Sequence, residues 1–179
     1  MNIPNLLTVA RFCLVPVVVY MIGQGQWTLA FAVFVIAGLT DAVDGFIARK
    51  FDQRTVLGAY LDPLADKALL VSIYVTLAVG GVIPSWLAIL VVSRDVMILG
   101  AVMVSWLLDN PVEINPLYVS KANTFAQIAF AAVALGSNAF NIELGRGLMV
   151  LALVTGALTV VSTGAYLGLW FRHMAANDA

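Results

Sequence analysis

The sequence predicts an all-α integral membrane protein with six transmembrane helices, forming one domain over residues 1–179. Three observations carry this. The chain is 62% hydrophobic and 11% charged, with a mean hydropathy of +0.99, whereas soluble domains are about 45–50% apolar and about 25% charged. Apolar segments near the roughly 20 residues that one span needs recur along its whole length. Short polar or Gly/Pro-containing breaks separate them. Six spans with short loops consume nearly all 179 residues, which leaves no room for a separate soluble domain.

The first span is drawn from Leu6 to Ile22 and stops at Gly23-Gln24-Gly25-Gln26. The second runs from Trp27 to Lys50, and the polar bend Asp52-Gln53-Arg54 leads to a third from Thr55 to Val79. Gly80-Gly81 and Pro84 mark a turn before the fourth, Ser85 to Leu108, which Asp109-Asn110-Pro111 breaks. The fifth is placed at Tyr118–Leu135, with a loop from Gly136-Ser137-Asn138 to Gly145, and the sixth at Arg146–Phe171. No internal repeat stands out.

Loop charge sets the orientation. Gly23–Gln26 and Gly80–Pro84 contain no Lys or Arg, while Arg49, Lys50, Arg54, Lys121 and Arg172 all fall on the other side of a six-span chain. Both termini are therefore expected to face the cytoplasm, in the inner membrane of a bacterial cell. Glu143 and Arg146 lie opposite, and one Arg does not reverse the bias. The N-terminus has neither a basic n-region nor an Arg/Ser-rich transit character, so it reads as mature sequence. A net charge of −1 offers no footprint for nucleic acid. One cysteine, Cys13, and one histidine, His173, argue against an internal disulfide, a thiolate cage or a histidine zinc site.

Against this apolar background four acids cluster: Asp41 and Asp44 at the end of span two, Asp62 and Asp66 at the start of span three. A carboxylate at the centre of a membrane helix costs about 2.5–3.5 kcal/mol on insertion scales, and like charges add repulsion. Spacings of i,i+3 and i,i+4 place each pair on one helical face. Two antiparallel helices joined by a tight bend would bring the pairs together, with the small residues Gly45 and Gly58 allowing close approach. Oxygen ligands without nitrogen or sulfur select hard cations such as Mg²⁺ or Mn²⁺. Two such ions about 3.5–4 Å apart would balance four carboxylates and suit phosphoryl transfer. Arg49, five residues after Asp44, could grip phosphate oxygens bidentately. The competing readings are solvated helix-end charges paired with nearby cations, and an acidic relay in a transporter.

The run Asp41-x2-Asp44-Gly45-x2-Ala48-Arg49-x8-Gly58-x3-Asp62-x3-Asp66 resembles, position for position, the signature of the CDP-alcohol phosphatidyltransferases. The resemblance extends over nearly the whole chain, since that family consists of small six-span proteins. It implies that the four aspartates hold two divalent metals and that Asp66 is also the general base on the acceptor hydroxyl. Gly45, Arg49 and Gly58 would line the CDP-diacylglycerol pocket. Pro4-Asn5-Leu6-Leu7-Thr8 looks like the family's opening segment, which adds Asn5 and Thr8 to the nucleotide contacts. A homodimer is the usual family state.

The acceptor is harder to read. Arg94, inside span four, calls for a buried anion such as an acceptor phosphate. The alternative is an ion pair with Asp95, disfavoured because adjacent helical residues point apart. Lys121 and Asn123 open span five and join Arg94 as acceptor-binding candidates. Phosphatidylglycerophosphate synthases resemble this chain but carry Lys-x-Lys-Thr where it has Lys121-Ala122-Asn123-Thr124. One cation fewer suits a phosphodiester better than a glycerol phosphate. Gly38-Leu39-Thr40-Asp41 and Ser93-Arg94-Asp95-Val96-Met97 look like the mitochondrial-type cardiolipin synthases, which implies transfer from CDP-diacylglycerol to phosphatidylglycerol. Glycerol-3-phosphate is the alternative acceptor. Trp27, Trp86, Trp106 and Trp170 are expected in the aromatic belts, Tyr60 and Tyr74 in packing, and Asp52 and His173 at the surface.

Overall fold

The computed structural model describes the backbone of residues 3–51, 56–107 and 118–177, and side chains over 12–40, 67–101, 103 and 118–170. Among these residues the regular secondary structure is entirely α-helical. The six helices are α1 (Ile3–Gly23), α2 (Trp27–Phe51), α3 (Val56–Val79), α4 (Ser85–Leu107), α5 (Tyr118–Ala139) and α6 (Arg146–Asn177). They occupy the six predicted segments. One stretch, Arg146–Trp170 of α6, is long and apolar enough to cross a membrane by itself within the described residues. Shorter apolar helical stretches cover Phe12–Gly23, Trp27–Thr40 and Lys67–Val79.

Helix ends differ from expectation where local chemistry intervenes. α1 begins at Ile3 rather than Leu6, because Pro4 sits in the first turn, where its missing N–H is no loss. α5 continues through Gly136-Ser137-Asn138, where composition predicts a loop, and stops at Ala139. The Ser137 hydroxyl and the Asn138 amide both donate to the Ala134 carbonyl, at 3.0 and 2.8 Å. Bonding back into the turn absorbs polar groups that would otherwise compete with the helix. Gly136 is small for a packing reason, since a Cβ there would lie 3.3 Å from the Phe31 ring.

Three helices end in the same way. In α1 the Gln26 N–H reaches the Met21 carbonyl and the Gly25 N–H reaches Ile22. Val82 and Gly81 repeat the pattern on Leu77 and Ala78, and Ile142 and Asn141 repeat it on Ser137 and Asn138. This paired closure requires a left-handed residue just past the helix. Gly25 (φ 68°), Gly81 (φ 69°) and Asn141 (φ 54°) supply it.

The chain forms two compact units. The first comprises Met1–Ile83 with Ala131–Gly145, and within it α1 packs against both α2 and α3. Its core contains Val18, Phe34, Ile73, Leu77 and Leu135, with Tyr74 fully buried as a packing residue. The end of α5 closes against α2 through an edge-to-face pair, Phe31 and Phe140, with centroids 5.7 Å apart. The second unit comprises Pro84–Phe130 with Arg146–Ala179, where α4 packs on α6. Gly156 makes that approach possible, because a Cβ on it would lie 2.7 Å from Cζ3 of Trp86. This second core is polar along one side. Asn123, Gln127, Thr155, Thr159 and Ser162 are buried, as are Leu87, Val91 and Phe130.

Candidate active site

The predicted nucleotide and metal residues all lie on helices of the first unit. Asn5 and Thr8 are on α1, Asp41, Asp44, Gly45 and Arg49 on α2, and Gly58, Asp62 and Asp66 on α3. The helical backbone at these positions gives Asp41/Asp44 and Asp62/Asp66 the i,i+3 and i,i+4 register that puts each pair on one face. α1 packs against both helices that carry the motif. The side chains of these nine residues lie outside the described residues, as does the bend at 52–55. As a donor set, four carboxylates without nitrogen or sulfur fit hard divalent cations.

The acceptor candidates Arg94, Lys121 and Asn123 belong to the second unit, and their side chains are described. Arg94 is 4% exposed, as is Asp95. Its Nη1 lies 2.8 Å from Asp95 Oδ1. That corrects the expectation that neighbouring helical residues diverge too far to pair. The Arg side chain is long enough to turn its head back toward the adjacent carboxylate, and burial makes neutralisation worthwhile. Nη2 donates to Ser120 Oγ of α5 at 2.6 Å and to Ser162 Oγ of α6 at 3.1 Å. The Tyr166 ring centroid is 5.7 Å from Cζ, within cation–π range. The guanidinium thus joins three helices. Its Nε is buried without a partner, and leaving such a group unpaired costs about 1–3 kcal/mol.

One turn further along α5, Asn123 is fully buried. Its Oδ1 lies 2.9 Å from the Thr159 hydroxyl, which also approaches the Thr155 carbonyl at 2.8 Å. Thr159 has one proton for two acceptors, so the two compete. Gln127 Nε2 donates to the same hydroxyl at 3.4 Å. The Nδ2 of Asn123 has no partner. Lys121 differs from both. It is exposed, with Nζ 5.6 Å from the Tyr118 centroid.

Sequence reasoning missed the α6 side of this cluster. Thr155, Thr159, Ser162 and Tyr166 recur at i, i+4, i+7 and i+11 on an otherwise apolar helix. That periodicity, which puts all four on one face, was the available signal.

Comparison with known proteins supplies the class. Residues 1–161 match the model of the CDP-alcohol phosphatidyltransferases, so the chain belongs to the CDP-alcohol phosphatidyltransferase family. Similar curated proteins include the human cardiolipin synthase (CMP-forming), 37% identical over 181 residues, covering 92% of this chain and 60% of that protein. The probable cardiolipin synthase (CMP-forming) of Drosophila melanogaster is 35% identical, covering 93% of this chain and 56% of its own. A chloroplastic CDP-diacylglycerol–glycerol-3-phosphate 3-phosphatidyltransferase of rice is 32% identical, covering 97% of this chain and 58% of its own. The chain spans about 60% of the length of these curated relatives.

Proposed function

We propose that this protein is a phospholipid-synthesising transferase that moves the phosphatidyl group of CDP-diacylglycerol onto a hydroxyl of phosphatidylglycerol, giving cardiolipin and CMP. The observation carrying this reading is the 37% identity to a CMP-forming cardiolipin synthase over 92% of the chain. The ungapped eight-position motif from Asp41 to Asp66 supports it.

In this reading the acceptor oxygen attacks the lipid-side phosphorus, the bond to the CMP oxygen breaks, and CMP leaves. Asp66 takes the hydroxyl proton as general base. Two Mg²⁺ or Mn²⁺ ions held by Asp41, Asp44, Asp62 and Asp66 would stabilise charge on the transferring phosphoryl and the leaving phosphate. Arg49 binds the diphosphate, while Asn5, Thr8, Gly45 and Gly58 shape the nucleotide pocket. Arg94, Lys121 and Asn123 bind the acceptor.

All six helices span the membrane in this account. The many large apolar side chains left exposed, among them Val79 at 85% and Phe125 at 74%, suit lipid contact better than water. Charge bias places the active site on the cytoplasmic side, of the inner membrane if the source is bacterial. The assembly is a homodimer, as the family resemblance implies. Cross-linking in native membranes should trap a species of twice the monomer mass, and a strictly monomeric pattern would remove the dimer.

The test of function is CMP release by purified protein with CDP-diacylglycerol, Mg²⁺ and one acceptor at a time. Release with phosphatidylglycerol supports the proposal. Release only with glycerol-3-phosphate would replace it with the phosphatidylglycerophosphate synthase reading, which the 32% identity to the rice enzyme favours. Silence with every alcohol, coupled with ion flux in liposomes, would leave the transporter reading.

A further inference from the structure

A guanidinium offers an anion a two-pronged grip only when neighbouring N–H groups are free together. On Arg94 both terminal nitrogens are engaged. Nη1 holds Asp95, and Nη2 is shared by Ser120 and Ser162. The Tyr166 ring lies 5.7 Å from Cζ. Nε alone has no partner, although it is buried. A buried cation with one orphaned donor is incompletely satisfied, and the missing partner is an acceptor oxygen.

We propose that Ser162 on α6, with Ser120 on α5, is a positioning residue. The two hydroxyls hold the Nη2 end of Arg94 so that Nε–H remains the donor reserved for an anionic oxygen of the acceptor's phosphate. The inference rests on the acceptor-binding reading of Arg94 made above. Ser162 itself donates nothing to substrate in this arrangement. It acts by denying the guanidinium its other orientations, which reduces the rotamer freedom that binding must otherwise remove. Two serines from different helices each contribute one hydrogen bond to the restraint. Ser120 is only part-buried, so its substitution perturbs packing less than that of the fully buried Ser162.

The experiment is a double-mutant cycle in purified, detergent-solubilised enzyme, reading KM and kcat for phosphatidylglycerol and for CDP-diacylglycerol. Ser162→Ala should raise the phosphatidylglycerol KM about threefold to tenfold, the loss expected for one hydrogen bond. The CDP-diacylglycerol KM should not move. Ser120→Ala should act in the same direction, and keeps the test open if Ser162→Ala does not fold. In an Arg94→Ala background either serine substitution should add nothing, because coupled residues are non-additive. Equal penalties with and without Arg94 would overturn the positioning role while leaving Arg94 as an acceptor ligand. An Arg94→Ala enzyme with an unchanged phosphatidylglycerol KM would overturn both.

Discussion

In the proposed reaction, Asp66 and Arg94 are the residues whose chemistry would bear most directly on turnover. Asp66→Asn keeps size and removes basicity, so CMP release should fall by about 10²–10⁴-fold, the usual worth of a general base. The protein should remain as stable as the parent on thermal unfolding in detergent. A normal rate would exclude Asp66 as the base. Arg94→Ala should raise the KM for phosphatidylglycerol more than that for CDP-diacylglycerol, and steady-state kinetics with each substrate varied would show the reverse if Arg94 served the nucleotide. It also removes the guanidinium that lies 2.8 Å from the buried Asp95 carboxylate, and breaking a buried ion pair is destabilising. A drop in stability should therefore accompany the kinetic change. The aspartate motif was legible in the sequence because its spacing is short and helical. The enclosure of Arg94 was not, because Ser162 lies 68 residues away in the chain.

At the scale of helices, close contact depends on two small residues, Gly136 against Phe31 and Gly156 against Trp86. Gly156 faces Trp86, and a methyl group there would sit 2.7 Å from the indole. Gly156→Leu should destabilise the protein by at least about 1–3 kcal/mol through overpacking, seen as a lower unfolding temperature, whereas a leucine at Gly147, where a Cβ meets nothing within 4 Å, should be tolerated. The left-handed closures at Gly25, Gly81 and Asn141 were foreshadowed in two cases by glycine-bearing breaks. The third was misplaced. Gly136-Ser137-Asn138 looks like a loop by composition, yet the Ser and Asn side chains bond to Ala134 within the helix and move the true end four residues on. Composition alone cannot tell a polar residue that breaks a helix from one that bonds back into it.

For the whole molecule, the proposed chemistry predicts metal dependence. Excess EDTA should abolish CMP release, and Mg²⁺ or Mn²⁺ should restore it. Activity that persists after exhaustive chelation would contradict a carboxylate-held metal pair. Charge bias predicts that single cysteines at positions 24 and 82, in a Cys13-free background, label from outside intact cells, while one at position 53 does not. The opposite pattern would invert the topology.

The sequence by itself determined the helical class, the six segments, and the family motif on α2 and α3. Each of these is written in residues near one another in the chain, where composition and helical period suffice. Only the tertiary structure decided what surrounds Arg94 and Asn123, and which glycines mark helix crossings. Those partners come from different helices, and no local pattern states which side chains three packed helices will bring to one point.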